Sequence, residues 1–233
     1  IDFSGANLAQ ADLSHSTLTA DSSYGGDAII DFSEANLARA DLSDSKLAAE
    51  GFYSHVYSEG EATIDFHNAN LVSADLSGTM LTAEHSYGAA TINFREADLA
   101  RADLSGSVLV AETSYGDATI DFGKANIANA NLSNSILAVN RWLSSYGEGM
   151  IDFSEANLSN VDMGGSRLFA DGAGGSATIN FTEANLANAD LSGSELTADS
   201  TNSSATIDFT EVELINADLS GSKFTAEAII GLP

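Results

Sequence analysis

The sequence predicts an all-β fold, a solenoid of eight square coils, and three observations carry the prediction. The tripeptide Ile-Asp/Asn-Phe recurs at Ile1, Ile30, Ile64, Ile92, Ile120, Ile151, Ile179 and Ile207, with periods of 29, 34, 28, 28, 31, 28 and 28 residues. Each unit opens with twenty residues that divide into four fives, with a large apolar residue in the third place, as at Phe3, Leu8, Leu13 and Leu18. A spacing of five fits neither the 3.6 of a helix nor the 2 of a simple strand. The chain must therefore turn a corner every five residues, and four corners close a square.

Each element of a coil has its own reason. Two places before each large residue stands a small or β-branched one, Ile1, Ala6, Ala11 and Ser16 in the first unit. Both point inward, and the other three places point out. Phe3, Phe32, Phe66, Phe94, Phe122, Phe153, Phe181 and Phe209 stack as one internal column, and Val161-Asp162-Met163 keeps the core volume where the pattern varies. Coils bonded main chain to main chain at the strand spacing of ~4.8 Å make a rod roughly 38 Å long. Proline occurs once, at Pro233, and no Pro/Gly linker interrupts the chain, so residues 1–233 form a single domain.

The triplets Ala6-Asn7-Leu8, Ala40-Asp41-Leu42, Ala102-Asp103-Leu104 and Ala189-Asp190-Leu191 recur in register through all eight units. In them the chain resembles the pentapeptide-repeat family, whose pattern is A-[D/N]-L-x-x. The resemblance implies a right-handed quadrilateral β-helix with one loop excursion per coil.

The excursions are residues 21–29, 50–63, 84–91, 112–119, 140–150, 171–178 and 199–206. All leave after the fourth pentapeptide, so they form a ridge along one edge. Ser-Tyr-Gly recurs in them at Tyr24, Tyr87, Tyr115 and Tyr146, with Gly suited to a turn of positive φ. Each Tyr either packs its loop onto the coil or joins an aromatic strip that meets a partner. The longest excursion, with Phe52, Tyr53, His55, Val56 and Tyr57, and the one with Arg141, Trp142 and Leu143 are the candidates for specific contacts.

The place before each core residue carries Asp or Asn. One column reads Asn7, Asn36, Asn70, Asp98, Asn126, Asn157, Asn185 and Glu213, which suits a side-chain amide ladder. Another reads Asp12, Asp41, Asp75, Asp103, Asn131, Asp162, Asp190 and Asp218, whose like charges need relief. Corner Ser residues and backbone N–H groups supply it if these Asp are corner caps. Weakly bound Ca2+ or other cations supply it if the Asp ladder is a cation site, although no compact D-x-D-x-D-G calcium loop is present.

Catalytic patterns are absent. His15, His55, His67 and His85 fall at unrelated places in their units, and there is no GxGxxG, P-loop or HExxH. The sequence thus predicts no enzyme and no cofactor. The column Thr19, Ala48, Thr82, Val110, Ala138, Phe169, Thr197 and Thr225 is too irregular for an ice-binding array.

Eight Lys plus Arg against 34 Asp plus Glu give a net charge of −26, which repels nucleic acid and anionic lipid and suits cations or a basic protein surface. No apolar run approaches a membrane span. The absence of cysteine leaves the redox compartment open.

Two functions follow. The first is a structural protein that binds itself head to tail in an extracellular filament or surface layer. Its contacts are Ile1 and Phe3 at the front and Ile229, Ile230 and Leu232 at the back, because Ile1 is already a core residue with no cap before it and the tail from Glu227 to Pro233 either caps the back weakly or leads into the next subunit. Tyr24, Tyr87, Tyr115, Tyr146 and Trp142 supply further contacts. A start at Ile1 marks either a processed terminus or a piece of something longer. The second is implied by the family resemblance: an acidic DNA mimic, cytoplasmic, that occupies a DNA-binding protein such as gyrase. Twenty-six charges over the rod give one per ~1.5 Å, near the one per ~1.7 Å of duplex DNA. A loop after every coil and the lack of a C-terminal helical segment count against it.

Overall fold

Among the described residues, a computed structural model gives fifteen strands and no helix. The structure describes all residues except 23–25, 52–59, 142–146 and 230–233. In chain order the strands are β1 (Thr17–Asp21), β2 (Ala28–Asp31), β3 (Lys46–Gly51), β4 (Ala62–Asp65), β5 (Met80–His85), β6 (Ala90–Asn93), β7 (Val108–Thr113) and β8 (Ala118–Asp121). They continue as β9 (Ile136–Arg141), β10 (Gly149–Asp152), β11 (Arg167–Asp171), β12 (Ala177–Asn180), β13 (Glu195–Ser200), β14 (Ala205–Asp208) and β15 (Lys223–Ala228). Odd strands form an eight-stranded parallel sheet and even strands a seven-stranded one, each running in coil order. The expected solenoid of eight coils is therefore present, and the other two sides of the square are chains of single bridges such as Asn7 to Asn36 and Asp12 to Asp41.

Three of the four corners are tight turns. Phe3 O accepts from Ala6 N–H at 2.9 Å and Leu8 O from Ala11 N–H at 3.0 Å, with the fifth residue of the pentapeptide left-handed, φ 62° at both Gly5 and Gln10. That is the geometry of a type II turn. Most coils place ordinary residues there, Glu34, Arg39 and Asp44 among them, at a cost of about 1 kcal/mol each. Stacking offsets it, because the same residues donate N–H to the next coil, as Glu34 does to His67 O at 2.8 Å.

The fourth corner differs from the expectation. The fourth pentapeptide runs straight on, and the excursion takes the place of its turn. Residues assigned to excursions by sequence belong partly to strands: Glu84 and His85 complete β5, and Ala90 and Thr91 begin β6. Main-chain pairing to the neighbouring coil continues through them, with Glu84 opposite Glu112 and Thr91 opposite Thr119.

The core is a set of like-on-like columns. Consecutive Phe rings from Phe3 to Phe209 stack with centroids 4.8–5.0 Å apart and interplanar angles of 11° or less, which is the strand spacing itself. Val161 and Met163 are buried and fill the core as their sizes predict. Ser45, Ser135 and Ser194, which open the fourth pentapeptide, are also buried and donate to the carbonyls of Leu42, Leu132 and Leu191, each at 2.6 Å.

Candidate functional surfaces

The candidate sites of the rod are its outward columns, loops and ends. In the Asp ladder each carboxylate closes its own corner. Asp12, Asp41, Asp75, Asp103, Asp162, Asp190 and Asp218 accept the N–H two residues on, at 2.8–3.1 Å. Hydroxyls of Ser14, Ser43 and Ser77 add bonds of 2.6–2.7 Å to the same oxygens. The Ser14 hydroxyl and N–H hold the Asp12 carboxyl below its ordinary range, and the Ser220 N–H and hydroxyl do so for Asp218. Among the described residues no three His, Cys, Asp or Glu side chains converge as a metal site would require.

The amide ladder forms where both rungs allow it. Asn36 donates to Asn7 at 3.1 Å, Asn70 to Asn36 at 3.3 Å, and Asn157 to Asn126 at 3.1 Å. Asp98, with no hydrogen to give, only accepts, from Asn126 at 2.9 Å.

A third column escaped sequence reasoning, though its signal was the middle residue of the Ile-Asp/Asn-Phe triplet itself. Asp2, Asp31, Asp65, Asn93, Asp121, Asp152, Asn180 and Asp208 align across the coils. Asn93 donates to Asp65 and Asn180 to Asp152, both at 2.9 Å. Asp121 and Asp152 lie side by side without an intervening Asn, and here the Arg95 guanidinium comes within 3.6 Å of Asp121. Burial pushes the Asp121 carboxyl up and the Asp152 charge adds to it, while the Gly123 N–H and Arg95 pull it down.

On the loop ridge, Tyr87 and Tyr115 stack with centroids 4.9 Å apart and an angle of 2°. Tyr24, Tyr146 and Trp142 lie outside the described residues, as do most of the two long excursions. The loops are anchored by the strand residue beneath them, a role the sequence did not show. His85 Nδ1 accepts from the N–H groups of Tyr87 at 3.1 Å and Gly88 at 2.6 Å. Thr113 Oγ1 accepts from Gly116 N–H at 3.1 Å, and Ser200 Oγ from Ser203 N–H at 3.1 Å. The His85 ring sits against Gly51, where a Cβ would lie 2.0 Å from Cδ2. His67 bonds Arg95 O at 2.9 Å, His15 stands 3.8 Å from Asp44, and His55 is outside the described residues.

The flat face of the eight-stranded sheet shows three outward columns. The first place of each odd strand gives Met80, Val108, Ile136, Arg167, Glu195 and Lys223 from the third coil to the eighth. The fifth place is acidic through Glu50, Glu84 and Glu112 and again at Asp171, Asp199 and Glu227. Burial, then the charges of Glu112 and Glu50, push the Glu84 carboxyl up. Glu195 bridges Arg167 at 3.4 Å and Lys223 at 3.0 Å.

At the front, Ile1 is 46% exposed and Phe3 half-buried; at the back, Ile229 is 60% exposed, while Ile230 and Leu232 lie outside the described residues. No helix among the described residues is long and apolar enough to cross a membrane.

A family model of pentapeptide repeats matches in eight copies, with residues 1–20 and 179–198 matched. No curated protein matches the sequence. Among solved structures the chain is similar to HetL, a pentapeptide repeat protein of heterocyst differentiation regulation from the cyanobacterium Nostoc sp. strain PCC 7120. The two are 20% identical over 93% of this chain and 90% of that one, with a TM-score of 0.20. Full-length QnrB1, a plasmid-mediated fluoroquinolone resistance protein, is 15% identical over 89% and 93% of the two chains, with a TM-score of 0.27. A pentapeptide repeat protein of the Arabidopsis thaliana thylakoid lumen is 21% identical over 68% of each chain, with a TM-score of 0.15. With eight copies of the repeat matched and eight stacked coils built from them, the chain belongs to the pentapeptide-repeat family.

Proposed function

We propose that the protein is a non-catalytic structural scaffold whose rods add head to tail. Main-chain polarity at the outermost coils carries this reading. Within the rod, third and fifth residues donate N–H forward: Phe181 to Asp208 O at 2.8 Å, Glu183 to Thr210 O at 2.9 Å, Leu186 to Glu213 O at 2.8 Å. The last coil accordingly aims the N–H groups of Phe209, Leu214 and Leu219 away from the rod. The first coil aims the carbonyls of Asp2, Asn7 and Asp12 the other way, in the same order and spacing. Asp2, Asn7 and Asp12 turn their N–H groups outward too, as Asp31, Asn36 and Asp41 do toward the carbonyls of Ile1, Ala6 and Ala11 at 2.8–2.9 Å, and back against front is the one joint that continues this whole pattern in the register used within the rod.

The side chains support the same joint. Leu214 and Phe224 are 39% and 42% exposed, and with Ile207, Phe209 and Leu219 they line an apolar hollow of about 330 Å³. Phe3, Leu8, Leu13 and Leu18 face out of the front coil only half-buried. A heterologous contact that does not close gives a filament. The joint also brings Asp2 and Asp12 of one rod beside Asp208 and Asp218 of the next. The Ser4 and Thr210 hydroxyls hold the Asp2 and Asp208 carboxyls below their ordinary range, as at Asp12 and Asp218. Salt and divalent cations therefore favour assembly. An acidic, cysteine-free rod suits an extracellular or cell-surface setting.

Negative-stain images and sedimentation of the chain at rising concentration, with and without added salt or Ca2+, test this. Filaments with a repeat near the ~38 Å rod length are expected, and they disappear in the Leu214→Glu/Phe224→Glu variant. A rod that never adds end to end under any of these conditions overturns the reading. If it also inhibits gyrase supercoiling, the acidic DNA-mimic function takes its place, the reading that charge per length favours.

A further inference from the structure

We propose that the flat face of the eight-stranded sheet pairs with the same face of a second copy, the two rods parallel about a two-fold axis along their length. This surface is separate from the coil ends, so the pairing does not rest on head-to-tail assembly.

The face is polarised across its width. One edge carries Met80, Val108 and Ile136, then Arg167, Glu195 and Lys223; Glu195 is already paired to both cations, at 3.4 and 3.0 Å, so the edge is apolar and then positive. The opposite edge is acidic, with Glu84, Glu112, Asp171, Asp199 and Glu227. Between them runs a middle column of short residues, Val110, Ala138, Thr197 and Thr225, broken by one large side chain, Phe169. A groove of about 490 Å³ lies around Phe169, floored by Ala138, Thr197 and Thr225 and walled by Arg167 and Glu227. Ile136, on its rim, is 37% exposed, and Met80, two coils away on the same edge, is 44% exposed. Ala48, in the second coil, is already fully buried, so the open part of the face begins at the third.

Symmetry then selects the partner's orientation. Two faces can meet about a two-fold across the rods or along them. An axis across the rods sets each column against itself, acid on acid. An axis along the rods reverses the strand direction and keeps each coil opposite its own copy, so the first edge meets the last. Arg167 then faces Asp171 of the second copy and Lys223 faces Glu227, each contact made twice, while Glu195, already held by both cations, faces Asp199, and Met80 and Val108 lie opposite Glu84 and Glu112. The middle column meets itself on the axis, where the two Phe169 rings come together and the groove over Ala138 and Thr197 gives them room. Six coils of ~4.8 Å and strands of ~17 Å cover about 490 Å² per copy, or about 1,000 Å² in all, the lower bound for a specific contact. The dimer is therefore concentration-dependent, and the charge of −26 on each copy makes salt strengthen it.

The test is a charge swap read by sedimentation equilibrium of the full chain. Arg167→Asp and Asp171→Arg each weaken the dimer by about tenfold or more, and the double variant recovers to within about threefold of the parent. Phe169→Glu abolishes it, with the far-ultraviolet circular dichroism unchanged, and Leu214→Glu/Phe224→Glu leaves it intact. A chain monomeric at all concentrations and salts overturns the proposal, as does a dimer that ignores Phe169→Glu or that the double swap fails to restore.

Discussion

At the fourth place of the first pentapeptide the coils carry Ser4, Ser33, His67, Arg95, Ser154, Thr182 and Thr210, and Gly123 alone has no side chain. Giving it one, Gly123→Ala, restores the common pattern yet should destabilise the rod. Gly123 is not left-handed, so the backbone does not require glycine, and at such a site Gly→Ala ordinarily stabilises by about 0.4–1 kcal/mol. Here the added Cβ would lie 2.6 Å from Arg95 Nη1, 2.9 Å from Asp121 Oδ1 and 3.3 Å from Asp152 Oδ2. The flexible Arg95 is what yields, and with it goes the cation beside two adjacent carboxylates, one of them, Asp152, 7% exposed. Opposite charges at the observed 3.6 Å attract by about 4–5 kcal/mol at an effective dielectric of 20. The Arg95 side chain is 37% exposed, and solvent screening reduces that to about 1–2 kcal/mol. Set against the ordinary backbone gain, the net loss is about 1 kcal/mol, and the expected fall in Tm at neutral pH is about 2–4 °C for a chain of this size. The sign of the pH dependence is fixed by Asp121. Its folded pKa lies above the ordinary 3.8, so its contribution to stability is full below 3.8 and declines as pH rises through the folded value. Losing Arg95 raises that value further. Thermal melts of parent and variant should therefore differ most at neutral pH and converge below 3.8. An equal deficit at both pH values would refute the electrostatic account, and a more stable variant would refute the role of Gly123 altogether.

Three further outcomes are expected. Phe122→Ala removes a ring stacked at 4.8 Å on Phe94 and 5.0 Å on Phe153 and should cost about 3–5 kcal/mol in urea unfolding. A loss under 1 kcal/mol would mean that the coils close over the gap. His85 must be neutral at Nδ1 to accept from Tyr87 and Gly88, and burial lowers its pKa from 6.5. Its contribution is thus full above 6.5 and falls as pH drops through the folded value, so the protection of the Tyr87 and Gly88 amides against exchange, relative to the intrinsic rate at each pH, should fall in acid, but not in His85→Ser, which copies the Ser200 anchor. Glu84→Gln relieves a carboxyl raised by burial and by Glu112 and Glu50; it should stabilise at neutral pH by about 0.3–0.5 kcal/mol after screening and do nothing below 4.5, as thermal melts will show.

The coil was legible because a five-residue period has one structural solution and because core places tolerate few side chains. Phe3 to Phe209, Val161 and Met163 all sit where their spacing puts them. Strand limits were not legible in the same way. Glu84 and His85 look like loop residues in a single coil, and they become strand only because the neighbouring coils supply hydrogen-bond partners. Gly51 and His85 are far apart in sequence and unremarkable singly; their fit exists only across coils. The Asp-Asn-Gly logic around Arg95 was hidden for the same reason, since it needs residues from three successive coils read as a column. The Tyr motif was visible, and the structure adds what positions it, an anchoring His, Thr or Ser at the end of the strand below.

Stacking multiplies whatever a coil presents, and the sign of the result depends on the group. A Phe column gains at every step because each ring finds the next at the strand spacing. An Asp column loses at every step for the same geometric reason, and the chain limits the loss with an amide. Asn93 gives Asp65 a donor, Asn126 gives Asp98 one, and Asn180 gives Asp152 one, each at 2.9 Å. Where two carboxylates adjoin in a half-buried place, Asp121 and Asp152, a cation is recruited and a glycine clears its path. The run Asp12, Asp41, Asp75, Asp103 has neither device and relies on its own corner bonds, which hold the charges in place without cancelling them. A head-to-tail joint would lengthen that run by setting Asp12 beside Asp218. Ions in solution would then have to supply the balance that the sequence supplies elsewhere, so the proposed joint would depend on salt before it depended on concentration.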